Sequence, residues 1–302
     1  MLTARRRSGL SRREALEGYV FLLPWILGFL FFTVGPIIAS MALSLTDWQV
    51  GLDIKFIGLG NYVQMFTKDT NFWKSIGVTA RYAMMALPAG IAVALSMALL
   101  LNNKVRGIGV FRTIYYLPAI ISGVPVALLW SWVFNNEFGL LNWALGLVGI
   151  KGPAWLLDTK TALPALALMS LWGAGSLMII YLSSLQAIPQ ELYEAAEIDG
   201  ANGIRKFTHV TIPMLTPTIL FNLVSGIIGV FQVFTSAWIM TQGGPNYATY
   251  FYVLHLYNNA FKYARMGYAS ALAWVLFVIV LALSAVVLRS SPYWVFYAGE
   301  RE

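Results

Sequence analysis

The sequence predicts an all-α integral membrane protein with six transmembrane helices, because of its composition, its long uncharged runs and the placement of its charges. Of the 302 residues, 59% are hydrophobic and only 11% are charged, and the mean hydropathy is +0.69. Soluble proteins carry roughly 25% charged residues, so a chain with this balance is expected in a membrane. Each uncharged run is long enough to cross a bilayer, which takes about 20 helical residues.

The first span is expected at Tyr19–Leu45. It follows a basic tail, residues 1–18, which holds Arg5, Arg6, Arg7, Arg12 and Arg13. The apolar run is too long for the core of a signal peptide and is followed by further spans. We therefore expect it to be retained, in spite of Pro24 and Pro36.

Five further uncharged runs predict the remaining spans. They are Tyr82–Asn103, Thr113–Asn136, Thr161–Gln190, Phe207–Phe261 and Met266–Leu288. The fourth of these is too long for one helix, and Gly243-Gly244-Pro245 breaks it, so span five is expected over about Met214–Met240. Residues 19–289 then form one six-helix domain, followed by a short tail, 290–302.

Lysine and arginine predict the orientation, because they are enriched in cytoplasmic loops. With the N-terminus inside, the five arginines of the tail are joined on the cytoplasmic side by Lys104, Arg106, Arg112, Arg205, Lys206, Arg289 and Arg301. That places 12 of the 20 basic residues inside. Both termini are therefore expected in the cytoplasm.

A charged segment, here called the 187–213 loop, separates spans four and five. Pro189 suits the first turn of a helix, because its missing N–H has no partner there. Gly200 is expected to stop that helix, since glycine adopts the left-handed conformation without strain. A second short helix is expected from Asn202 to Ile212-Pro213, where the proline ends it. The sequence predicts a helix–turn–helix knob.

The spacing in this loop resembles the EAA loop of binding-protein-dependent ABC importers. The match is carried by Glu194-Ala195-Ala196, Gly200 three residues later, and Val210 and Ile212-Pro213 nine residues beyond. The family pattern is EAA-x3-G-x9-I-x-L-P, so Val210 and Ile212 are conservative departures. The resemblance implies a type I ABC importer permease fold and an ATPase-coupling role for Glu194, Ala195, Ala196, Gly200 and Pro213. The alternative is a solvated acidic loop between two spans.

Other stretches are similar to the carbohydrate branch of that family, in particular to the first subunit of the maltose and glycerol-3-phosphate permeases. They are residues 56–62, 72–73, 112–118, 135–142, 241–245 and 267–271. The resemblance implies a bacterial or archaeal plasma membrane, a sister permease subunit as partner in a heterodimer, an ATPase dimer and an extracytoplasmic sugar-binding protein. The outer loop at Thr46–Gly77 is short, whereas the maltose protein carries a large insert there.

Several kinds of chemistry are disfavoured by the sequence. It holds no G-x-x-x-x-G-K-[ST] phosphate loop, so ATP hydrolysis is expected in a partner and no enzymatic activity in this chain. His209 and His255 have no neighbouring ligand pattern, so we expect neither a metal nor a cofactor. The sequence has no basic run interleaved with aromatic residues, so we do not expect it to bind nucleic acid. An ion-coupled secondary carrier is the alternative function, but every Asp and Glu lies outside the apolar spans.

The candidate substrate path lies in spans four and five. Span five carries Asn222, Ser225, Gly229, Gln232 and Ser236, and span four carries Ser170, Trp172, Gly173 and Ser176. In one continuous helix the span-five residues share an arc of about 80°. Polar groups at membrane depth face a cavity or another helix, since lipid cannot satisfy them. The resemblance implies sugar contacts from these two helices, and the alternative for Ser225 and Gly229 is small-residue helix packing.

Overall fold

The structure, a computed structural model, describes residues 9–103, 106–121 and 123–296. These residues are helical apart from turns and loops, and their extended pairing is limited to an isolated antiparallel bridge between Thr46 and Phe56. The all-α prediction is therefore confirmed. Arg5–Arg7 of the predicted basic tail, Lys104, and residues 297–302 of the predicted C-terminal tail, with Arg301, lie outside the described residues.

Fourteen α-helices follow one another along the described ranges. The first half of the chain holds α1 (Gly9–Phe29), α2 (Gly35–Ser44), α3 (Gly60–Thr67), α4 (Thr70–Leu101), α5 (Ile108–Ile120), α6 (Gly123–Val133) and α7 (Leu140–Leu147). The second half holds α8 (Ala162–Ser170), α9 (Gly175–Gln186), α10 (Gln190–Ile198), α11 (Gly203–Lys206), α12 (Ile212–Phe231), α13 (Tyr252–Tyr257) and α14 (Met266–Trp294).

Four continuous helical stretches are long and apolar enough to cross a membrane: Glu14–Ser44, Thr70–Leu101, Gly203–Phe231 and Met266–Trp294. Two bent pairs, α5 with α6 and α8 with α9, pass the same test, and the described residues hold six spans when each pair is taken as one. The prediction of six transmembrane helices is confirmed, although the third and fourth spans are broken helices rather than the continuous ones that the sequence predicted.

Two prolines are accommodated by π-helical turns. The turn at Leu30–Val34 directly precedes Gly35-Pro36, and the turn at Phe207–Thr211 directly precedes Ile212-Pro213. In each case the residue before the proline donates its N–H five residues back, to Leu30 O or to Phe207 O. Proline has no N–H and its ring clashes with the carbonyl four residues back, and a wider turn relieves both problems. The expected helix end at Ile212-Pro213 was therefore wrong: α11 continues through the π turn into α12.

The helix that holds span two begins well before its apolar run. Asp69 caps α4 by accepting hydrogen bonds from the N–H groups of Asn71 and Phe72, at 2.9 and 3.1 Å. The other carboxylate oxygen of Asp69 lies 3.0 Å from His255 Nε2, which joins the start of α4 to α13. The sequence placed the start of this span at Tyr82, where the uncharged run begins. The helix begins earlier, at Thr70, because Asp69 caps it and charged residues do not end a helix.

The helix of span five ends at Phe231, nine residues before the predicted end at Met240. Gly229 and the β-branched Val230 and Val233 lower the helix propensity there. A π turn follows at Ala237–Thr241. Gln232 and Ser236 therefore leave the α-helical register of Asn222, Ser225 and Gly229, and the single polar stripe predicted for this span is wrong.

The described chain divides into two compact units. One consists of the segment up to Met65 together with Asn259–Trp274. Within it, Asn61 Nδ2 donates to the carbonyls of Ser44 and Thr46 at 2.8 and 2.9 Å. The carbonyl of Thr46 also lies so close to Gly267 that no Cβ would fit there. These contacts join the end of the first span to the start of α14.

The other unit consists of residues 66–258 and the part of α14 from Val275 onward. It contains two apolar clusters. One joins Val78, Tyr82 and Ala86 of α4 to Leu163 and Leu166 of α8. The other joins Ala94 and Ala98 of α4 to Met178, Tyr181 and Leu215 of α9 and α12. The long helix α4 is thus the element against which spans four and five pack.

Candidate functional site

The 187–213 loop forms the predicted helix–turn–helix knob. Its first helix is α10, and Pro189 stands at the N-cap as expected. The turn after α10 has the hydrogen bonds of a Schellman motif: Gly200 N–H donates to Glu197 O at 3.0 Å and Ala201 N–H to Ala196 O at 2.8 Å. Gly200 has φ +76°, the left-handed conformation that this motif requires. The sequence prediction of Gly200 as the helix stop agrees with this geometry.

The second helix of the knob is tied to the first by side chains. Asn202 Oδ1 accepts from Arg205 N–H at 2.9 Å and caps α11. Lys206 Nζ then reaches back to Glu197 Oε1 on α10, at 2.6 Å. This ion pair is exposed and contributes on the order of 0.2–1 kcal/mol, so it orients the two helices more than it stabilises them.

The knob is also attached to the membrane-embedded core. Tyr193 of α10 packs against the cluster formed by α4, α9 and α12. Its hydroxyl lies 3.0 Å from Thr211 Oγ1, in the π turn that leads into α12. Ile188, in the connection from α9, is buried in the same cluster. The knob is therefore in contact with the cluster that includes both α9 and α12.

The structure separates the five predicted coupling residues into three environments. Glu194 and Ala195 are exposed on the outer face of α10, while Ala196 is partly buried on its inner side. Gly200 is exposed in the turn. Pro213 is partly buried at the first turn of α12, beyond the π turn, so it shapes the connection to the span rather than the outer surface of the knob.

Two exposed isoleucines on the knob were not predicted as functional. Ile198 is 86% exposed and Ile204 is 75% exposed, on either side of the Gly200 turn. An apolar residue between two charges, as in Glu197-Ile198-Asp199, was the sequence signal for the first of them. Glu194 and Asp199 flank it without an ion pair in the described parts of the chain. The exposed residues of the knob thus include two isoleucines, acidic side chains and Arg205.

A cavity of about 370 Å³, here called the span-four cavity, lies beside the break between α8 and α9. It brings together six of the nine predicted substrate-path residues: Ser170, Trp172, Gly173, Ser176, Gln232 and Ser236. Trp172 and Gly173 are on the 3-10 turn that separates α8 from α9, and the two parts of that span meet at 49°. Trp172, at this bend, is 43% exposed.

Further lining of this cavity comes from span three and from the irregular segment after α12. Pro118, Ala119, Ile121, Gly123 and Val126 surround the break between α5 and α6, and Thr235 joins Gln232 and Ser236. Span three was not part of the predicted substrate path, although a proline and a glycine within its apolar run indicate a helix break. None of the described residues that line the cavity carries a charge; its polar groups are hydroxyls, an amide and an indole.

The other three predicted substrate-path residues lie outside the cavity lining. Asn222 is buried against α9, with its amide beside the hydroxyl of Tyr181. Ser225 and Gly229 are exposed on α12, and a Cβ added at Gly229 would meet no atom within 4 Å. Among the residues that the structure describes, none packs against Gly229, and Ser225 is exposed, so the small-residue packing considered for these two is not seen there. Gly226 has that role instead, because a Cβ there would clash with Leu87 of α4.

The described residues contain no group of three or more His, Asp or Glu side chains that could hold a metal ion. His209 is exposed on the knob, with Nδ1 2.8 Å from Thr208 Oγ1. His255 is buried against Asp69, in the cap of α4. Both histidines therefore have local structural partners.

Residues 86–291 match the family described as binding-protein-dependent transport system inner membrane component. The chain is 43% identical to the probable ABC transporter permease protein YesP of Bacillus subtilis, over 99% of this chain and 98% of that one. It is 33% identical to the trehalose/maltose transport system permease protein MalF of Thermococcus litoralis, over 93% of this chain and 96% of that one.

Among solved structures, the chain is similar to one from a bacterial alginate ABC transporter in complex with an alginate pentasaccharide-bound periplasmic protein. The TM-score is 0.82 at 25% identity, and the likeness covers 95% of this chain and 97% of that one. A likeness of this extent shows that the two chains share a fold.

Proposed function

Because the chain belongs to the family of binding-protein-dependent transport system inner membrane components, we propose that it is the first permease subunit of an ATP-binding cassette importer for a sugar or oligosaccharide. In this proposal it forms half of the translocation path and takes its energy from a separate ATPase. The chain itself is a transport subunit in the membrane and not an enzyme.

The 187–213 loop is the observation that carries the proposal. It connects the C-terminal end of α9 to the start of α12, and both helices lead from the knob to the span-four cavity. Ser176 lies at the far end of α9, and Gln232 directly follows the far end of α12. These helices are about 18 and 30 Å long at 1.5 Å per residue. A push on the knob can therefore move groups that line the cavity, as a rigid-body switch between two packed arrangements requires.

The outer surface of the knob suits an ATPase subunit with an apolar groove and a basic rim. Ile198 and Ile204 supply exposed apolar area, and Glu194 supplies a free carboxylate beside it. Ala195 allows close approach because of its small side chain. Ala196 and Pro213 hold the knob against the spans, and Gly200 sets the angle between its two helices.

The substrate is proposed to pass the span-four cavity. Hydroxyls, an amide and the exposed face of Trp172 are groups that bind the hydroxyls and the apolar ring face of a saccharide. Among the named relatives, one protein is called a trehalose/maltose system permease and another a lactose system permease. Ser170, Trp172, Gly173, Ser176, Gln232 and Ser236 are proposed to line the path. Asn222, Ser225 and Gly229 are proposed to support it from α12.

The remaining parts of the transporter are proposed as partners. They are a sister permease that completes the path, a dimer of the ATPase and an extracytoplasmic sugar-binding protein. The solved relative was obtained with a periplasmic protein carrying an alginate pentasaccharide, which supports a binding protein as the donor of substrate here. The membrane is proposed to be a prokaryotic plasma membrane with the knob and both chain termini in the cytoplasm.

Charge reversal on the knob tests the coupling role. Glu194→Lys is expected to lower the amount of ATPase that co-purifies with the permease, because a cation would face the basic rim. Glu137→Lys is the matched control: it reverses an exposed carboxylate in the loop between α6 and α7, and it leaves the knob unchanged. Equal ATPase recovery from both variants and the wild type would contradict the coupling assignment.

A further inference from the structure

A second groove, separate from the span-four cavity, lies between α4 and the start of α8. Its volume is about 470 Å³, and it is lined by Arg81, Met84, Met85, Thr159, Lys160, Leu163, Pro164 and Ala248. We propose that this Arg81–Lys160 groove binds a phospholipid with an anionic headgroup, with the phosphate between the two cations and an acyl chain along the methionines.

The two cations are available for an anion. Arg81 uses its Nε to donate to Gly77 O at 3.2 Å, one turn earlier in α4. Neither Arg81 nor Lys160 forms an ion pair in the described ranges, and the groove lining contains no carboxylate. The nearby Asp158 accepts from the backbone N–H of Lys160 through Oδ1. Thr159 adds a hydroxyl that can donate to a phosphate oxygen.

The apolar part of the groove lies on the membrane side of the cations. Met84 and Met85 follow Arg81 by three and four residues, so they share its face of α4 about one turn further into the span. Leu163 and Pro164 follow Lys160 in the first turn of α8. Both helices thus run from a cation into apolar sequence in the same direction. The adjacent face of α4, with Tyr82 and Ala86, is packed in the core.

This arrangement fits a ligand that is anionic at one end and apolar along its length. A soluble anion would leave Met84, which is 69% exposed, without a partner. A neutral lipid would leave two cations at the membrane edge without a counter-charge. An exposed cation that pairs with an anion contributes up to ~1 kcal/mol, or about fivefold in affinity. The shape and the charge together favour an anionic phospholipid.

The test uses the assembled transporter in detergent, titrated with dioleoyl phosphatidylglycerol or with dioleoyl phosphatidylcholine, and bound lipid is counted by native mass spectrometry. Phosphatidylglycerol is expected to bind more tightly than phosphatidylcholine, because its headgroup has a net negative charge. The two lipids have the same acyl chains, so the difference in affinity reports the headgroup. The double variant Arg81→Gln with Lys160→Gln is expected to weaken phosphatidylglycerol binding by up to about 30-fold and to leave phosphatidylcholine binding unchanged. The single variant Lys160→Gln is expected to weaken phosphatidylglycerol binding by up to about fivefold.

The control removes the same charge elsewhere. Lys55→Gln with Lys151→Gln neutralises two exposed lysines outside the groove and is expected to keep wild-type lipid binding. Glycerol 1-phosphate, which has the headgroup chemistry without the chains, is expected not to compete. The proposal is overturned if the Arg81/Lys160 variant keeps wild-type affinity for phosphatidylglycerol, if the control loses it equally, or if glycerol 1-phosphate displaces the lipid. A groove covered by the sister permease would give the first of these results. Sugar uptake does not enter the readout, so the result is independent of the proposed function.

Discussion

Replacing Gly200 by valine perturbs the knob at the residue that sets the angle between its two helices. The backbone at Gly200 has φ +76°, and its N–H group and that of Ala201 close the end of α10. A Cβ added at this position would meet no atom within 4 Å. The cost of a side chain is therefore conformational and not steric.

The size of that cost follows from the two options that the chain has. Holding a non-glycine residue in the left-handed region costs roughly 1–2 kcal/mol, and more for a β-branched residue. Relaxing the turn instead loses the bonds from Gly200 to Glu197 and from Ala201 to Ala196, at about 0.5–1.5 kcal/mol each. The two options cost about the same. Each 1.4 kcal/mol of this cost lowers the population of the native angle between α10 and α11 about tenfold.

The assay separates sugar uptake from ATP hydrolysis in proteoliposomes that contain the complete transporter. Gly200→Val is expected to assemble and to hydrolyse ATP, but with fewer sugar molecules imported per ATP. Gly200→Asn is expected to keep most of the coupling, because asparagine tolerates the left-handed region. Gly203→Val is the matched control, since Gly203 lies in the same loop, has open space around its Cβ and has no positive φ.

A Gly200→Val transporter of normal abundance with a normal ratio of uptake to hydrolysis would refute the reasoning. Equal losses in the Gly200→Val and Gly203→Val variants would refute it as well, because the effect would then not depend on backbone conformation. Missing protein in the membrane would indicate a folding defect, and the Gly200→Asn variant would then provide the measurement of coupling.

Three further predictions concern the membrane topology, the cavity and the helix packing. An accessibility tag inserted near Asn202 is expected to be protected in intact spheroplasts and one near Gly243 to be exposed, and the reverse pattern would contradict the proposed orientation. Gln232→Leu and Trp172→Ala are each expected to reduce sugar uptake while binding-protein-stimulated ATP hydrolysis persists. Wild-type uptake by both variants would assign these two residues to packing. Gly175→Ala is expected to lower the thermal stability of the purified complex by more than Gly226→Ala does. A Cβ at Gly175 clashes with the backbone carbonyl of Tyr115, whereas a Cβ at Gly226 meets the movable end of the Leu87 side chain. Equal shifts in melting temperature would argue against this account.

The number of spans and the local structure of the 187–213 loop could be predicted from the residues alone. Both depend on short-range rules: the length of an apolar run, a proline at a helix start and a glycine in a left-handed turn. Pro189 and Gly200 have the predicted positions in the structure. The end of the second helix was mispredicted at Pro213, because a π turn can absorb a proline that an α-helix cannot.

Which polar residues share a cavity depends on tertiary packing and could not be predicted from the sequence. The periodicity of span five assumed one continuous helix, but α12 ends at Phe231, so Gln232 turns toward the cavity while Asn222 is buried beside Tyr181. Pro118 and Gly123 enter the lining from span three, at a distance of more than 100 residues along the chain from Gln232. The spacing of polar residues along a sequence shows only which of them share a face of one continuous helix. Where a helix breaks, and which other broken helix it meets there, depends on packing between distant segments.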